Sequence, residues 1–408
     1  MANSVKNSNM IVGLDIGTSK VVCIAGKYND EKKLEIIALG SYPSSGLRKG
    51  VVVNIDATTD AIAKAVEQAQ SMIEEKIKSV YVGIAGNHVK SLNSHGAEAI
   101  KDNEVSLADI DRVIESAQAV AIPSDQNLLH VLPQSFIIDG QEVSLDPLGM
   151  SGTRLETKVH LVTCANSAIK NIEKCIKNCG LNVDGFVLEQ LASSHSILSD
   201  DEKELGVCLV DIGGGTTDIA VFNSGSIVHT GVIPIAGDNV TNDIAQALRT
   251  PTPQAEDIKQ KHGCAVTEFT REDETVEVLA VGGRPPRELS RSALADIIQQ
   301  RYSELFGLVK TEISRNGFED KISAGIVFTG GTSKMEGVVE LAESIFQTSV
   351  RLGIPSEFKG METILQNPIY ATSIGLIEHG YKQINHEMLS EQSRGFFSKL
   401  LRIVKSEY

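Results

Sequence analysis

Two stretches decide the fold: Ile11-Val12-Gly13-Leu14-Asp15-Ile16-Gly17-Thr18-Ser19-Lys20-Val21-Val22-Cys23-Ile24-Ala25 and Val207-Cys208-Leu209-Val210-Asp211-Ile212-Gly213-Gly214-Gly215-Thr216-Thr217-Asp218-Ile219-Ala220-Val221. Each reads as an apolar strand, an aspartate, a glycine turn, hydroxyl residues and a second apolar strand. Asp15 and Asp211 stand 196 residues apart in a chain of 408. A repeat at half the chain length predicts two similar domains, each opening with the same hairpin. A chain this long also exceeds one ordinary core.

Hairpins of this kind suit phosphate. Its oxygens need backbone N–H donors at close range, and glycine alone lets the backbone come that near and take positive φ. Gly17 supplies this in the first turn and Gly213, Gly214 and Gly215 in the second. Thr18, Ser19, Thr216 and Thr217 add hydroxyls, and Lys20 adds a point charge. Asp15 and Asp211, at the strand ends, are placed to hold Mg²⁺ through its waters, which it sheds reluctantly. One Asp-x-Gly turn alone is usually structural; two matching turns are far harder to obtain by accident.

A base needs a further surface. Phe328-Thr329-Gly330-Gly331-Thr332-Ser333-Lys334-Met335 reads as strand, double glycine and helix start. A flat adenine can slide over Gly330 and Gly331, although a plain strand-to-helix turn has the same pattern. Glu256 and Lys259, three apart on a helix, could meet ribose and adenine or form an ordinary surface ion pair.

Working outward, Leu34–Tyr42, Lys49–Ile55 and Ser79–Ala85 read as strands, and 58–76 as a helix with Asp56 as its cap. Ser226–Ile235 and Ile322–Thr329 read as strands flanking a helix over Asp238–Leu248. Two stretches exceed a bare pair of domains. Residues 87–162 read strand, helix, strand, strand: a small α+β module inserted in the first domain. Residues 251–301, rich in charge and carrying Gly282-Gly283-Arg284-Pro285-Pro286-Arg287, read as a second subdomain. Residues 382–394 read as a polar linker.

The composition, 41% hydrophobic and 22% charged, is that of a globular chain. A net charge of −15 argues against gripping nucleic acid by its phosphates. The six cysteines form no C-x-x-C pair and several sit in apolar runs, as reduced buried thiols do. The first ten residues lack the apolar core of a signal peptide, and no run approaches the ~20 apolar residues of a spanning helix. The expectation is a protein kept in the cytosol.

The C-terminus departs from that balance. At 100° per residue, Phe396, Phe397, Leu400, Leu401, Ile403 and Val404 fall within an arc of about 160°, opposite Lys399, Arg402 and Lys405. From Arg394 to Tyr408 there are four basic residues and one acid. Such a segment is too short to cross a bilayer but suits the interface of an anionic one, apolar arc down. A terminal helix packed on its own domain is the plainer reading, which the linker and basic face disfavour.

These motifs resemble the actin, DnaK-type chaperone and sugar-kinase superfamily. Its phosphate-one, connect-one, phosphate-two, adenosine and connect-two motifs correspond to Leu14–Lys20, Val187–Ser193, Val210–Asp218, Phe328–Met335 and Ala371–Leu376. Gly152-Thr153-Arg154, Lys158–Cys164, Ala255-Glu256-Asp257-Ile258-Lys259, the Gly-Gly-Arg-Pro-Pro-Arg run and the basic tail make the chain similar to the FtsA family of bacterial division proteins. The resemblance implies an α/β, actin-like (ribonuclease H-like) two-domain ATPase fold. Domain 1A would take 1–86 and 163–200, the inserted 1C subdomain 87–162, domain 2A 201–250 and 302–381, and subdomain 2B 251–301. The linker 382–394 and the membrane helix 395–408 follow.

It implies ATP and Mg²⁺ as ligands and short filaments of the chain with itself. The tail peptide of the tubulin-like FtsZ would dock on 2B, with Arg284, Arg287, Arg291 and Arg301 as its candidate contacts. Later division proteins would meet 1C. The setting would be the cytoplasmic face of the inner membrane at the septum. Glu189 falls where chaperone relatives carry a glutamate that helps orient water. By itself it reads as a first-turn residue favoured by the helix dipole, and no catalytic base is assigned: the family is an adaptor rather than a turnover enzyme. The competing readings are a membrane actin of wall growth or pilus assembly and a soluble kinase of the same superfamily. A kinase would need a catalytic carboxylate that no aspartate here announces.

Overall fold

A computed structural model describes residues 10–143, 146–271, 273–280 and 285–385. Each diagnostic stretch forms an antiparallel hairpin. Met10–Ile16 pairs with Lys20–Tyr28, and Val207–Ile212 with Thr217–Asn223. Alternation is nearly absent in these strands because both faces are covered, so they read as continuous apolar runs. The first hairpin is the centre of a six-stranded sheet in the order Asn182–Leu188, Ser79–Ile84, Met10–Ile16, Lys20–Tyr28, Leu34–Pro43, Phe358–Lys359. The second belongs to a five-stranded sheet: Ser226–Ile233, Thr217–Asn223, Val207–Ile212, Ile326–Thr329, Val350–Leu352.

The halves are not independent. One apolar core includes Ile11 and Val22 from the first sheet, Leu209 and Val327 from the second, and Ile374 and Ile377 from a helix over 371–385. That helix and Glu189–Ile197 lie between the sheets and join them. They approach so closely that a Cβ on Gly375 would fall 1.8 Å from the Ala192 carbonyl oxygen. The chain also crosses back late: Phe358–Lys359 adds a parallel strand to the first sheet beside Leu34 and Glu35. The assignment of 302–381 to the second half therefore needs correction beyond about 357, and residues 382–385 of the expected linker continue the helix, the rest of it lying outside the described residues.

The insert is a four-stranded antiparallel sheet, Val89–Ala99, Arg154–Ala165, Gln126–Ile138, Gln141–Val143, with the helix Leu107–Gln118 on one face. Ser106 and Asp109 close a capping box at the start of that helix. The insert also meets the second half. Ser91 Oγ donates to the Thr230 carbonyl (3.2 Å), Asn93 Nδ2 to that of Val228 (3.2 Å) and Gln134 Nε2 to that of Ile227 (3.0 Å). In the region 251–301 the helix Thr252–His262 is followed by a hairpin, Thr275–Val278 with Arg287–Ser290. The expected boundary at 301 falls inside one continuous helix, Arg291–Arg315.

Local expectations shift for identifiable reasons. The helix expected from 58 runs Ile55–Gln70, because Asn54, not Asp56, caps it by accepting from the Ala57 N–H. Its end is fixed by Gln70, whose amide donates to the Ile73 and Glu75 carbonyls and accepts from the Ile77 N–H. The strand expected over Lys49–Ile55 is instead a tight hairpin, Leu47–Arg48 with Val51–Val52, turning on Lys49 (φ 50°) and Gly50 (φ 74°). Ile326–Thr329 starts four residues late because Gly325 turns at φ +84°. All six cysteines are unpaired and five are buried. Among the described residues no helix is long and apolar enough to cross a membrane.

Candidate functional site

The two glycine turns have the same construction: the Gly17 N–H donates to the Lys20 carbonyl and the Gly213 N–H to the Thr216 carbonyl, both at 3.0 Å. They meet across a cleft of about 1100 Å³ between the halves. A Cβ on Gly214 would fall 2.1 Å from Ser19 Oγ, and one on Gly215 would fall 2.7 Å from Thr18 Oγ1. Glycine at these positions lets one turn approach the other without displacing those hydroxyls.

The cleft is lined by Asp15, Gly17, Thr18, Ser19, Lys20, Asp211, Gly213, Gly214, Gly215 and Thr216, and on the far wall by Glu256, Lys259, Gly330, Gly331 and Met335. Two expected residues are not part of it. Thr217 is fully buried and its hydroxyl donates to the Ile235 carbonyl (2.8 Å). Strand alternation sends Thr216 and Asp218 to the cleft and Thr217 to the opposite face. Ser333 is buried too, its hydroxyl spent on the Gly330 carbonyl (2.7 Å), where it shapes the turn. Glu256 and Lys259 pair with each other at 2.7 Å, and Lys259 also donates to Thr241 Oγ1 at 2.9 Å.

Carboxyl groups crowd the floor. Asp211 and Asp218 are direct cross-strand partners in the second hairpin, an arrangement that is destabilising when both are charged. Burial, with lesser push from Asp15, raises Asp211 to about 6; burial, with push from Asp211, raises Asp218 to about 7. Asp218 Oδ2 accepts from Thr216 Oγ1 at 2.9 Å; its buried Oδ1 makes no hydrogen bond of normal geometry, although the Gly86 backbone N–H is near enough to stabilise the charged group. Burial also raises Asp15, against the opposing pull of Lys20. Glu189, half-buried at the start of its helix and lining the cleft, is raised well above the carboxylate range by desolvation and then by Asp15, Asp218 and Asp211. It belongs to this floor and is more than a first-turn residue. Lys20 is lowered to about 8, chiefly by burial, and sits 4.2 Å over the Tyr370 ring.

A site that gathers buried carboxyls and a glycine cradle fits a cation carried with phosphate. Asp15 and Asp211 are the residues that would hold it. Asp218 was missed in the sequence, although its signal was there: two aspartates equidistant from a hairpin turn must face each other. Lys334, also in the lining, stood unremarked within the quoted adenine run.

The arginines of the 251–301 region are less available than expected. Arg291 is bound by Glu274 (3.0 Å), Glu336 and the His262 carbonyl (3.0 Å). Arg301 is held in a fork by Asp243 and paired with Glu304. Arg287 donates to the Leu248 carbonyl. Arg284 lies outside the described residues, as do Phe396, Phe397, Lys399, Leu400, Leu401, Arg402, Ile403, Val404 and Lys405. Of the three described arginines, Arg301 borders a mixed-charge depression of about 650 Å³ with Asp243, Gln246, Ile297, Gln300 and Glu304.

Residues 208–375 match the family model of the cell division protein FtsA, and 86–163 that of the SHS2 domain inserted in FtsA. The chain is 58% identical to the cell division protein FtsA of Pseudomonas aeruginosa, covering 97% of this chain and 95% of that one. It is 44% identical to FtsA of Escherichia coli K12, covering 91% and 90%. Among solved structures, a PilM–PilN type IV pilus biogenesis complex aligns with TM-score 0.67 at 16% identity, over 91% of this chain and 98% of that one. MreB5 of Spiroplasma citri bound to ADP aligns with TM-score 0.57 at 16% identity, over 93% and 98%. At those identities the last two speak to the actin-like fold alone.

Proposed function

Because the chain belongs to the FtsA family of cell division proteins, we propose that it binds Mg-ATP between its halves, assembles with copies of itself and holds the FtsZ ring to the cytoplasmic face of the inner membrane at the septum. The observation that carries the nucleotide reading is the meeting of two equivalent glycine turns across a cleft floored by Asp15 and Asp211. The N–H groups of Gly17 and Gly213 close their own turns, so those of Gly214 and Gly215 would bind phosphate oxygens, with Lys20 and Lys334 balancing charge. Asp15 and Asp211 would orient the hydrated cation. Mg²⁺ supplies there the positive charge that the crowded carboxyls lack. Gly330 and Gly331 leave a flat wall for the base. The nucleotide acts as a conformational ligand, and Glu189 is given no role as a base.

The Asp15→Asn change removes one anchor and is expected to weaken Mg-ATP binding roughly 10- to 100-fold, as for a lost contact to a charged group. Fluorescence polarisation of a labelled ATP, in Mg²⁺ and in EDTA, measures it. An affinity indifferent to both Mg²⁺ and the substitution would remove the site.

The FtsZ tail peptide fits the 251–301 region if its carboxylates share Arg301 with Asp243 or displace it. Later division proteins fit the insert. Attachment to anionic lipid rests on the amphipathic pattern of 395–408. Burying its six apolar side chains is worth at most roughly 9–18 kcal/mol. Ordering the backbone at ~1–2 kcal/mol per residue offsets much of this, so a single tail binds reversibly and a filament binds through many. In co-sedimentation with anionic vesicles the full chain is expected to pellet, more so with Mg-ATP, and a chain ending at Ser393 to stay in solution. Equal behaviour of the two would refute the tail as anchor.

A further inference from the structure

The helix over 371–385 begins beneath the cleft and runs to the last of the described residues. Its first turn is bonded to both aspartates. Thr372 Oγ1 donates to Asp211 Oδ2 (3.3 Å) and Ser373 Oγ to Asp15 Oδ2 (3.2 Å). Ser193, on the neighbouring helix, donates to the same Asp211 oxygen at 3.1 Å and lies 2.9 Å from Thr372 Oγ1. All three hydroxyl residues are buried. Two carboxylates from opposite halves of the molecule are thus tied, through successive residues, to one turn of one helix.

Beyond that turn the helix is held along its length. Ser196 Oγ donates to the Ala371 carbonyl at 2.7 Å, and Gly375 packs on Ala192 without room for a methyl. Lys382 Nζ lies 3.1 Å from His195 Nδ1, and Tyr381 stacks on Tyr28 with ring centroids 3.5 Å apart. From 371 to 385 the rod is about 21 Å long at 1.5 Å per residue.

We infer that Ser193, Thr372 and Ser373 are positioning residues that make the helix over 371–385 follow the Asp15–Asp211 pair, so that cation and nucleotide in the cleft are felt at residue 385. This rests on the nucleotide reading above. The two carboxyls repel each other, and a cation held by both would remove that repulsion and let them approach. Their hydroxyl partners follow, because abandoning a buried bond leaves an unsatisfied polar group at about 1–3 kcal/mol. Cation-bound and cation-free states therefore differ in where this turn is held, the difference between states that coupling requires.

Hydrogen exchange of the full chain, followed by mass spectrometry over 376–385 in Mg-ATP and in EDTA, tests the inference. Mg-ATP is expected to slow exchange there roughly fivefold or more, the lower end of coupling between sites. Thr372→Val keeps the side-chain shape and removes the hydroxyl; Ser373→Ala acts on the other aspartate. Each is expected to lose the slowing at ATP concentrations that labelled-ATP polarisation shows to be saturating, and Thr372→Ser to regain it. If the valine variant fails to fold, Ser373→Ala decides alone. Slowing that persists in saturated variants overturns the inference, as does a natural chain that binds Mg-ATP with no change at 376–385. A natural chain that binds no ATP overturns the nucleotide reading, and the inference with it.

Discussion

Asp218→Asn is expected to stabilise the nucleotide-free protein at pH 8 by about 2–4 kcal/mol and to leave it nearly unchanged at pH 4. In the unfolded chain this carboxyl loses its proton near its ordinary value of 3.8; in the folded chain, where burial dominates and Asp211 faces it, near about 7. Between those values the folded state holds a proton that the unfolded state has released. Stability therefore falls as pH rises through that window, and the loss is complete above it. Asparagine keeps the acceptor for Thr216 and carries no charge, so its advantage grows over the same range. Urea unfolding in EDTA at the two pH values measures it. A variant less stable than the natural chain at both would mean that the carboxyl is compensated in the folded state. With Mg-ATP present the order is expected to reverse, since the cation gains from the charge that folding alone disfavours. Site and stability are opposed at this residue, as is common where function holds charge out of water.

Gly375→Ala is the second large effect. The added methyl would lie 1.8 Å from the Ala192 carbonyl oxygen and 2.4 Å from its carbon, and both are backbone atoms. No rotamer relieves that contact; the two helices must separate. Overpacking costs about 1–3 kcal/mol where side chains can yield, and more where they cannot. We expect a loss of about 3 kcal/mol or more, from a total of the order of 5–15. Thermal unfolding should register it, together with weakened Mg-ATP binding, because separation pulls Ser193 from Thr372. A melting temperature equal to that of the natural chain would show that the crossing has slack.

Much of this was legible in the sequence because its causes are local. The Asp-Gly-hydroxyl turns announced the hairpins, and their separation of half the chain announced two halves. The insert showed itself as a strand–helix–strand pattern with no place in either half. What was hidden depends on contacts remote in sequence. Nothing in Phe358-Lys359 says that it pairs with Leu34-Glu35, more than three hundred residues earlier. Asp56 and Asn54 are equally good caps on paper, and only the extended backbone at Asn54 decides between them. The arginines at 291 and 301 looked like part of a cationic face because Glu336 and Asp243, which pair with them, belong to other segments, as does the Leu248 carbonyl that Arg287 binds. Asp218 could have been found from hairpin register alone.

The seam between the insert and the second half has a consequence for solubility. Ser226–Ile233 is the outer strand of its sheet, and an outer strand offers unpaired carbonyls to any other chain. Here the side chains of Ser91, Asn93 and Gln134 occupy the carbonyls of Thr230, Val228 and Ile227. The insert thus protects the open edge of the second half. A chain stripped of 87–162 would lose whatever binds there and would also gain an adhesive border, so clumping of such a chain would report an uncovered strand rather than a missing partner.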